Sequence, residues 1–289
     1  MLQFKDIQKR LKEVPEPIEV TQARQLIKNA FRRLEFVEEG HKYYVHQDDG
    51  TTITLPSVSG VCHQFSPECD WDEITMRYAM KHGMTVDEVK KNWHITNILS
   101  TTRGTQTHWF GENYMNFFLG NEQMVKDNFS AQYEDGYFLP YCGKEEAIVK
   151  YYEDIYALDS VFPVMPEAIV YTGLNDTLNL QQNYAGTFDI LLAMRDSSGK
   201  IRFIIEDWKT NKDIFKERAR KFGNMLLPPF DNLYDEPYST YTIQLNCYQL
   251  ALEQIGIKVA DRRIVWLKDD GTYEKIRVNN LTETLKTIL

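Results

Sequence analysis

The sequence predicts an α/β fold, a mixed β-sheet flanked by helices, preceded by a mainly helical N-terminal elaboration. Three observations predict it. From residue 141 to 289, helical and strand patterns follow in the order α-β-β-β-α-α-β-β, which suits a sheet layered with helices. Turn signals separate neighbouring strands at Asp196-Ser197-Ser198-Gly199 and Asp269-Asp270-Gly271. The 289 residues include 15 Phe, 17 Tyr and 5 Trp and are 43% apolar, enough for a sizeable core. No repeat or Ser/Gly linker interrupts the chain, so one domain over 1–289 is expected. Within it, 1–140 forms the elaboration and 141–289 the core.

Taken in order, residues 3–13 and 21–34 have helical patterns, the second opening on Thr21 as N-cap. A hairpin follows, with 36–46 and 51–59 flanking Asp48-Asp49-Gly50. Short helices are expected over 71–93 and a longer one over 104–119. In the core, 143–158 is helical, and 167–172, 184–194 and 200–208 are strands. Residues 212–222 and 241–255 are helices, and 262–268 and 272–278 the last strands.

Composition excludes several classes. A net charge of -9 argues against a protein that coats nucleic acid, although a local basic groove is compatible with it. The start, MLQFKDIQKRLKEV, lacks the apolar stretch of a signal peptide. No apolar run approaches the ~18 residues of a membrane span, so no membrane association is expected. Cys62, Cys69, Cys142 and Cys247 are dispersed and do not read as a disulfide framework, which points to a reducing, cytoplasmic compartment.

Carboxylates interrupt two apolar strands, at Asp189 and at Glu206-Asp207. A charge inside a half-buried strand is costly unless it is paired or binds a cation. A hairpin centred on Ser197-Ser198 sets residue 189 opposite 206, within a residue or two. The period of two then puts Asp207 and Lys209 on one face. Two acids and an ammonium converge, and a hard divalent cation such as Mg²⁺ relieves the repulsion of the acids. A lysine beside it can orient or deprotonate a water. The alternative is a structural ion pair between Lys209 and Asp189 at a strand end.

The pattern G-T-F-D, 17 residues, then D-W-K-T resembles the PD-(D/E)XK nuclease superfamily, with Asp189, Asp207 and Lys209 in its acid, acid and lysine positions. The RecB-like exonuclease branch of phage and bacteria is most similar, and the mitochondrial genome maintenance exonuclease type is also similar. "RGTQTHWFGE" resembles that branch's G-x-x-x-H-x-x-x-E helix, giving Gly104, His108 and Glu112. Glu167 resembles the acid before its first core strand, and "QLNCYQLAL" its Q-x-x-x-Y helix, giving Gln244 and Tyr248. "LPSVSGV" followed by "CDW" resembles the lead-in of phage members. The resemblance covers roughly 41–278. It implies a restriction-endonuclease-like core that hydrolyses DNA with Mg²⁺ or Mn²⁺. The metal would sit on His108, Asp189, Asp207 and the Trp208 backbone carbonyl, with Glu167 acting through water. A nitrogen ligand leans toward Mn²⁺. Lys209 would position or activate the attacking water, and Gln244 and Tyr248 would hold phosphate or fix the lysine. The Trp208 ring is expected on the opposite face. Some RecB-like nucleases carry a four-cysteine iron–sulfur cluster, but the dispersed cysteines here predict none.

The run 209–221, KTNKDIFKERARK, carries six basic residues against two acidic ones. Leaving the acidic strand directly, it offers Lys212, Lys216, Arg218, Arg220 and Lys221 as DNA phosphate contacts. Arg24, Lys28 and Arg32 form a second candidate basic stretch. Tyr234, Tyr238 and Tyr241 are candidates for base stacking. Three readings follow: an exonuclease preferring ends or single strands, an endonuclease cutting flaps or duplexes, and a non-catalytic module that binds nucleic acid or a partner. No G-x-x-x-x-G-K-[ST] loop is present, so unwinding would need a helicase or recombination partner.

Overall fold

The structure, a computed structural model, describes residues 13–120, 139–174 and 182–289. All but one residue of the helix expected at 3–13 lies outside them. Helix α1 (Ile18–Ala30) starts earlier than expected, behind Pro17. Thr21 is therefore not its cap; its hydroxyl donates to Glu16 Oε1 at 2.8 Å. The helix is registered by Val20, Ala23 and Ile27, which are buried along one face.

Strands β1 (Leu34–Val37), β2 (Lys42–His46) and β3 (Thr52–Leu55) form an antiparallel sheet in that order. The Asp49-Gly50 hairpin is present, with His46 opposite Thr52. The stretch 36–46, expected as one strand, folds back at Glu38–His41. Gly40 and His41 are both left-handed there, with φ of 76° and 51°. Helix α2 (Val58–His63) is capped by Ser57, whose hydroxyl accepts from the Gly60 N–H. Ala185 N–H donates to the Pro56 carbonyl at 3.0 Å, pinning this N-terminal unit to the main sheet.

Helices α3 (Trp71–His82) and α4 (Val86–Phe118) follow. The separate helices expected over 71–93 and 104–119 are corrected, because α4 is a single 33-residue helix opened by a Thr85–Glu88 capping box. It runs through Gly104 and Gly111. A helical glycine costs about 1 kcal/mol relative to alanine. At Gly111 that cost is offset by close packing, since a Cβ would stand 2.9 Å from the Trp208 indole nitrogen.

The main sheet has the order β4-β5-β6-β7-β8, built from Val161–Tyr171, Ala185–Arg195, Ile201–Lys209, Val259–Leu267 and Tyr273–Arg277. Helix α5 (Gly143–Tyr156) precedes it. Helices α6 (Glu217–Phe222) and α7 (Pro237–Glu253) form the crossover between β6 and β7, its one parallel pair. The short α8 (Thr282–Leu285) closes the chain. Strand β4 starts six residues before the expected 167 because Pro163 and Pro166 mask it; prolines are tolerated on an edge strand. Helix α6 is shorter than the expected 212–222. Residues before it form a turn in which Asp213 accepts from Phe215 N–H and Glu236 accepts from Lys216 N–H.

Both faces of the sheet are covered, which explains the nearly continuous apolar run of β5. Ile190, Leu192, Trp208, Val265 and Leu267 pack under α5 and Met115 of α4. Phe188, Leu191, Ile205 and Ile264 share a second cluster with residues of α7, α2, α1 and the small sheet. No helix among the described residues is long and apolar enough to cross a membrane.

Gly143, the first residue of α5, abuts the β7–β8 turn. A Cβ there would overlap the Asp269 carbonyl and approach Gly271 N to 2.8 Å. Gly143→Ala is therefore expected to lower stability by about 3 kcal/mol in urea unfolding. Gly104→Ala, whose Cβ meets only Thr210 Oγ1 at 3.6 Å, is expected to raise it by about 0.5–1 kcal/mol.

Candidate active site

Alternation along β6 sends neighbouring acids to opposite faces. Glu206 turns toward α5 and is fully buried, held by Arg263 at 3.1 Å, Lys275 at 3.3 Å and the Tyr151 hydroxyl. It serves the fold. Trp208 shares that side, its ring in the core against Tyr151 and Tyr152. Asp207 and Lys209 face the other way, into a cleft of about 230 Å³ shared with His108, Glu167, Asp189, Gln244 and Tyr248. The register is one residue from the expected one: Ile190, not Asp189, faces Glu206.

Asp189 is 5% exposed and holds the centre. Its Oδ1 meets His108 Nδ1 at 2.9 Å, and its Oδ2 accepts the Trp208 backbone N–H at 2.5 Å. Ligand atoms of His108, Glu167 and Asp189 lie within 4.8 Å of one another, a group able to hold a metal ion. Asp207 lies in the same cleft and pairs with Lys209. The structural pair considered between Lys209 and Asp189 is thus replaced by two pairs, Lys209 with Asp207 and His108 with Asp189. Glu167 reaches the cleft from β4 with φ of 42°, a conformation that a non-glycine residue in a strand adopts only at a cost.

The electrostatics are those of crowded, buried acids. Burial, then Asp189 and Glu112, push Glu167 well above the ordinary carboxylate range. Burial and Asp189 push Asp207 up to about 6 against the pull of Lys209. Glu112, one turn along α4 from His108, is raised by burial and by Asp189. Burial also acts to raise Asp189, but His108, Lys209 and the Trp208 N–H outweigh it and hold the carboxyl low. For His108, burial opposes protonation while Asp189 prevails and raises it. Burial likewise opposes charge on Lys209, and Asp207 prevails, so the ammonium is held protonated. Three acids of the cleft, Glu167, Asp189 and Asp207, with Glu112 beside them, thus crowd around the paired groups His108 and Lys209. An oxygen-rich set with one imidazole suits a hard or borderline divalent cation.

Gln244 and Tyr248, one turn apart on α7, are joined by a hydrogen bond from Gln244 Nε2 to the Tyr248 oxygen at 2.8 Å. Burial raises the Tyr248 phenol well above its usual range, so it stays protonated with its O–H free to donate. Of the candidate stacking residues, Tyr241 is committed: its hydroxyl donates to Asn211 Oδ1 at 2.5 Å, and its ring lies 4.4 Å below Lys209 Nζ. Tyr238 packs on Phe215, and Tyr234 is 38% exposed.

The basic candidates divide. Lys212 lines a neighbouring cavity of about 480 Å³ with Arg103 and Lys144. Lys216 lines another, of about 320 Å³, which meets the central cleft at Ser59 and Gln244. Arg218 and Lys221 are exposed on α6. Arg220 is engaged by Glu236 at 2.7 Å and stacks on Phe215. Arg24 ties α1 to β4 through the Val164 and Pro163 carbonyls and pairs with Glu16 at 3.0 Å, so its charge is spent on the fold. Arg32 donates to the Asn29 carbonyl, and Lys28 is exposed.

The facing wall of the cleft is formed by His41, Tyr43, Ser57, Val58, Ser59, Gly186 and Thr187, of which His41 and Tyr43 belong to none of the sequence motifs and were not expected there. Tyr43 and Thr187 share a hydrogen bond at 3.1 Å between the two sheets. The signal that could have found this wall was Gly40, a turn residue inside an apparent strand. No protein-family model matches the chain, and no curated protein matches it.

Acids with raised pKa values carry a linkage signature. Between its ordinary and folded values, each binds more protons in the folded chain, so stability falls as pH rises through that window. The loss of His108 protonation acts in the same direction, whereas Asp189 is ionised throughout. The metal-free protein is therefore expected to lose thermal stability from about pH 5 to 7, and Mn²⁺ or Mg²⁺ to restore more of it at the upper end. Glu167→Gln should flatten the dependence and reduce the metal-induced shift, read by thermal unfolding with and without metal.

Proposed function

We propose that the chain is a metal-dependent DNA nuclease of the PD-(D/E)XK superfamily, RecB-like branch, acting as an exonuclease on ends or single strands. One observation carries the reading. His108, Glu167, Asp189, Asp207, Lys209, Gln244 and Tyr248, drawn from four separate motifs, line one buried cleft. The α-β-β-β-α-α-β-β order of α5 through β8, with its single parallel pair, supports a restriction-endonuclease-like core. A structural pairing of charges alone would not require a strained Glu167 beside Asp189.

His108, Glu167 and Asp189 would hold the cation, with Asp207 and the Trp208 carbonyl as further ligands and Mg²⁺ or Mn²⁺ as the ion. When bound, it supplies the positive charge that stabilises the phosphoryl oxygens and the leaving 3′ oxygen. Lys209, fixed between Asp207 and the Tyr241 ring, donates hydrogen bonds to orient water and to neutralise phosphate charge. Its ammonium is held protonated, so it works here as a donor, not as a base. Tyr248 donates its O–H to phosphate while Gln244 fixes its direction. The expected product carries a 5′-phosphate. Lys212 and Lys216, in the two cavities flanking the cleft, would hold neighbouring phosphates.

The test is an assay on linear single-stranded, linear duplex and covalently closed circular DNA with Mg²⁺ or Mn²⁺. Linear DNA should be degraded and closed circles spared. Lys209→Ala should lower the rate by at least about a hundredfold. Cutting of closed circles would establish the endonuclease mode instead. No cleavage of any DNA, with Lys209→Ala indistinguishable from wild type, would leave a binding module.

A further inference from the structure

The wall opposite the acids is supplied by the N-terminal sheet, and its one ionisable imidazole is His41. Three cleft-lining groups can carry positive charge: His41, His108 and Lys209. Two are committed, His108 to Asp189 and Lys209 to Asp207. The ring nitrogens of His41 have no hydrogen-bond partner among the described residues, although its backbone N–H closes the turn onto the Glu38 carbonyl at 3.0 Å. The ring is oriented by two aromatic neighbours, Phe36 at 4.9 Å and Tyr43 at 5.7 Å, both edge-on.

The backbone marks the same residue. Among the described residues, His41 and Glu167 are the non-glycine positions with positive φ, and both line this cleft. Histidine tolerates the left-handed region better than most residues, but glycine adopts it without strain. A turn closing β1 onto β2 needs only glycine there. A side chain kept in that conformation, aromatic-braced and with free nitrogens over a cleft rich in acid, fits a ligand contact. The matching ligand group is an anionic oxygen, because an N–H donor uncommitted to the acids is what a phosphate needs on that wall.

We propose that His41 is a substrate-contacting residue, donating from its imidazole to a phosphate oxygen of the nucleic-acid strand held over the acidic group. The inference rests on the nuclease reading above and names a contact on the wall that the family motifs do not supply. The β1–β2 turn is then part of the binding site, and the small sheet covers one side of the strand's path.

Two substitutions at this position separate contact from scaffolding. His41→Gly accepts the left-handed backbone and removes the ring, whereas His41→Asn tolerates the same backbone and keeps an N–H donor. Kd is read by fluorescence anisotropy of a short labelled single-stranded DNA, with Mn²⁺ present and Asp207→Asn as a cleavage-deficient background. His41→Gly is expected to weaken binding about tenfold. It should raise KM similarly in the active protein and leave the melting temperature within about 2 °C of wild type. His41→Asn should recover part of the affinity. A His41→Gly protein that binds and cuts like wild type overturns the contact while leaving the nuclease reading intact. So does a fall in melting temperature that accounts for the lost activity, with unchanged Kd for the folded fraction. A wild-type chain that neither cuts nor binds any nucleic acid overturns both.

Discussion

Four elements of the fold meet at one carboxylate. Asp189 leaves β5, receives the Trp208 N–H from β6 and the His108 ring from α4, and stands beside Glu167 of β4. Each contact is local, yet together they require the sheet register, the helix position and the edge strand to be correct at once. A buried carboxylate without partners would cost several kcal/mol, so this convergence is as much a condition for folding as for chemistry. The unfavourable part is what remains: burial first, and then repulsion by Asp189, hold the Glu167 and Asp207 carboxyls above their ordinary range.

The rest of the molecule offsets that repulsion from both sides. Below the site, Trp208 and the tyrosines of α5 form a dense aromatic layer that fixes β6. Above it, α7 and the small sheet close a second apolar cluster around Phe188 and Tyr248. Glycine lets these layers approach the site. At Gly186 a Cβ would come within 2.8 Å of both the Tyr248 ring and Val58, so α7 and α2 close over the start of β5 only because that position has no side chain.

The legible part of the sequence was the part governed by local pattern. The Asp49-Gly50 and Asp196–Gly199 turns, the apolar strands β5 and β6, and the alternation that sends Glu206 and Asp207 apart follow from neighbouring residues alone. What stayed hidden depended on distant contacts. The continuity of α4 rests on Trp208 meeting Gly111, nearly a hundred residues later. Strand β4 carries two prolines that only its edge position excuses. Arg24 looked like a free cation because its partners, carbonyls of β4, lie far along the chain. The wall bearing His41 and Tyr43 was hidden for the same reason: nothing local to a hairpin says which cleft it borders.

Helix α4 has a mechanical consequence. At 1.5 Å per residue its 33 residues extend about 50 Å. The half beyond Gly104 is clamped, through Gly111 against Trp208 and through His108 against Asp189, while Lys90 to Ser100 is almost entirely exposed. The helix is a lever with its fulcrum at the site. Tilting it by one degree about His108 swings Val86 by roughly 0.6 Å, so large excursions of the free end translate into small ones at the imidazole. For any small tilt about the site, His108 would stay in register with Asp189 while the far end, with α3 packed on it, would take the larger displacement.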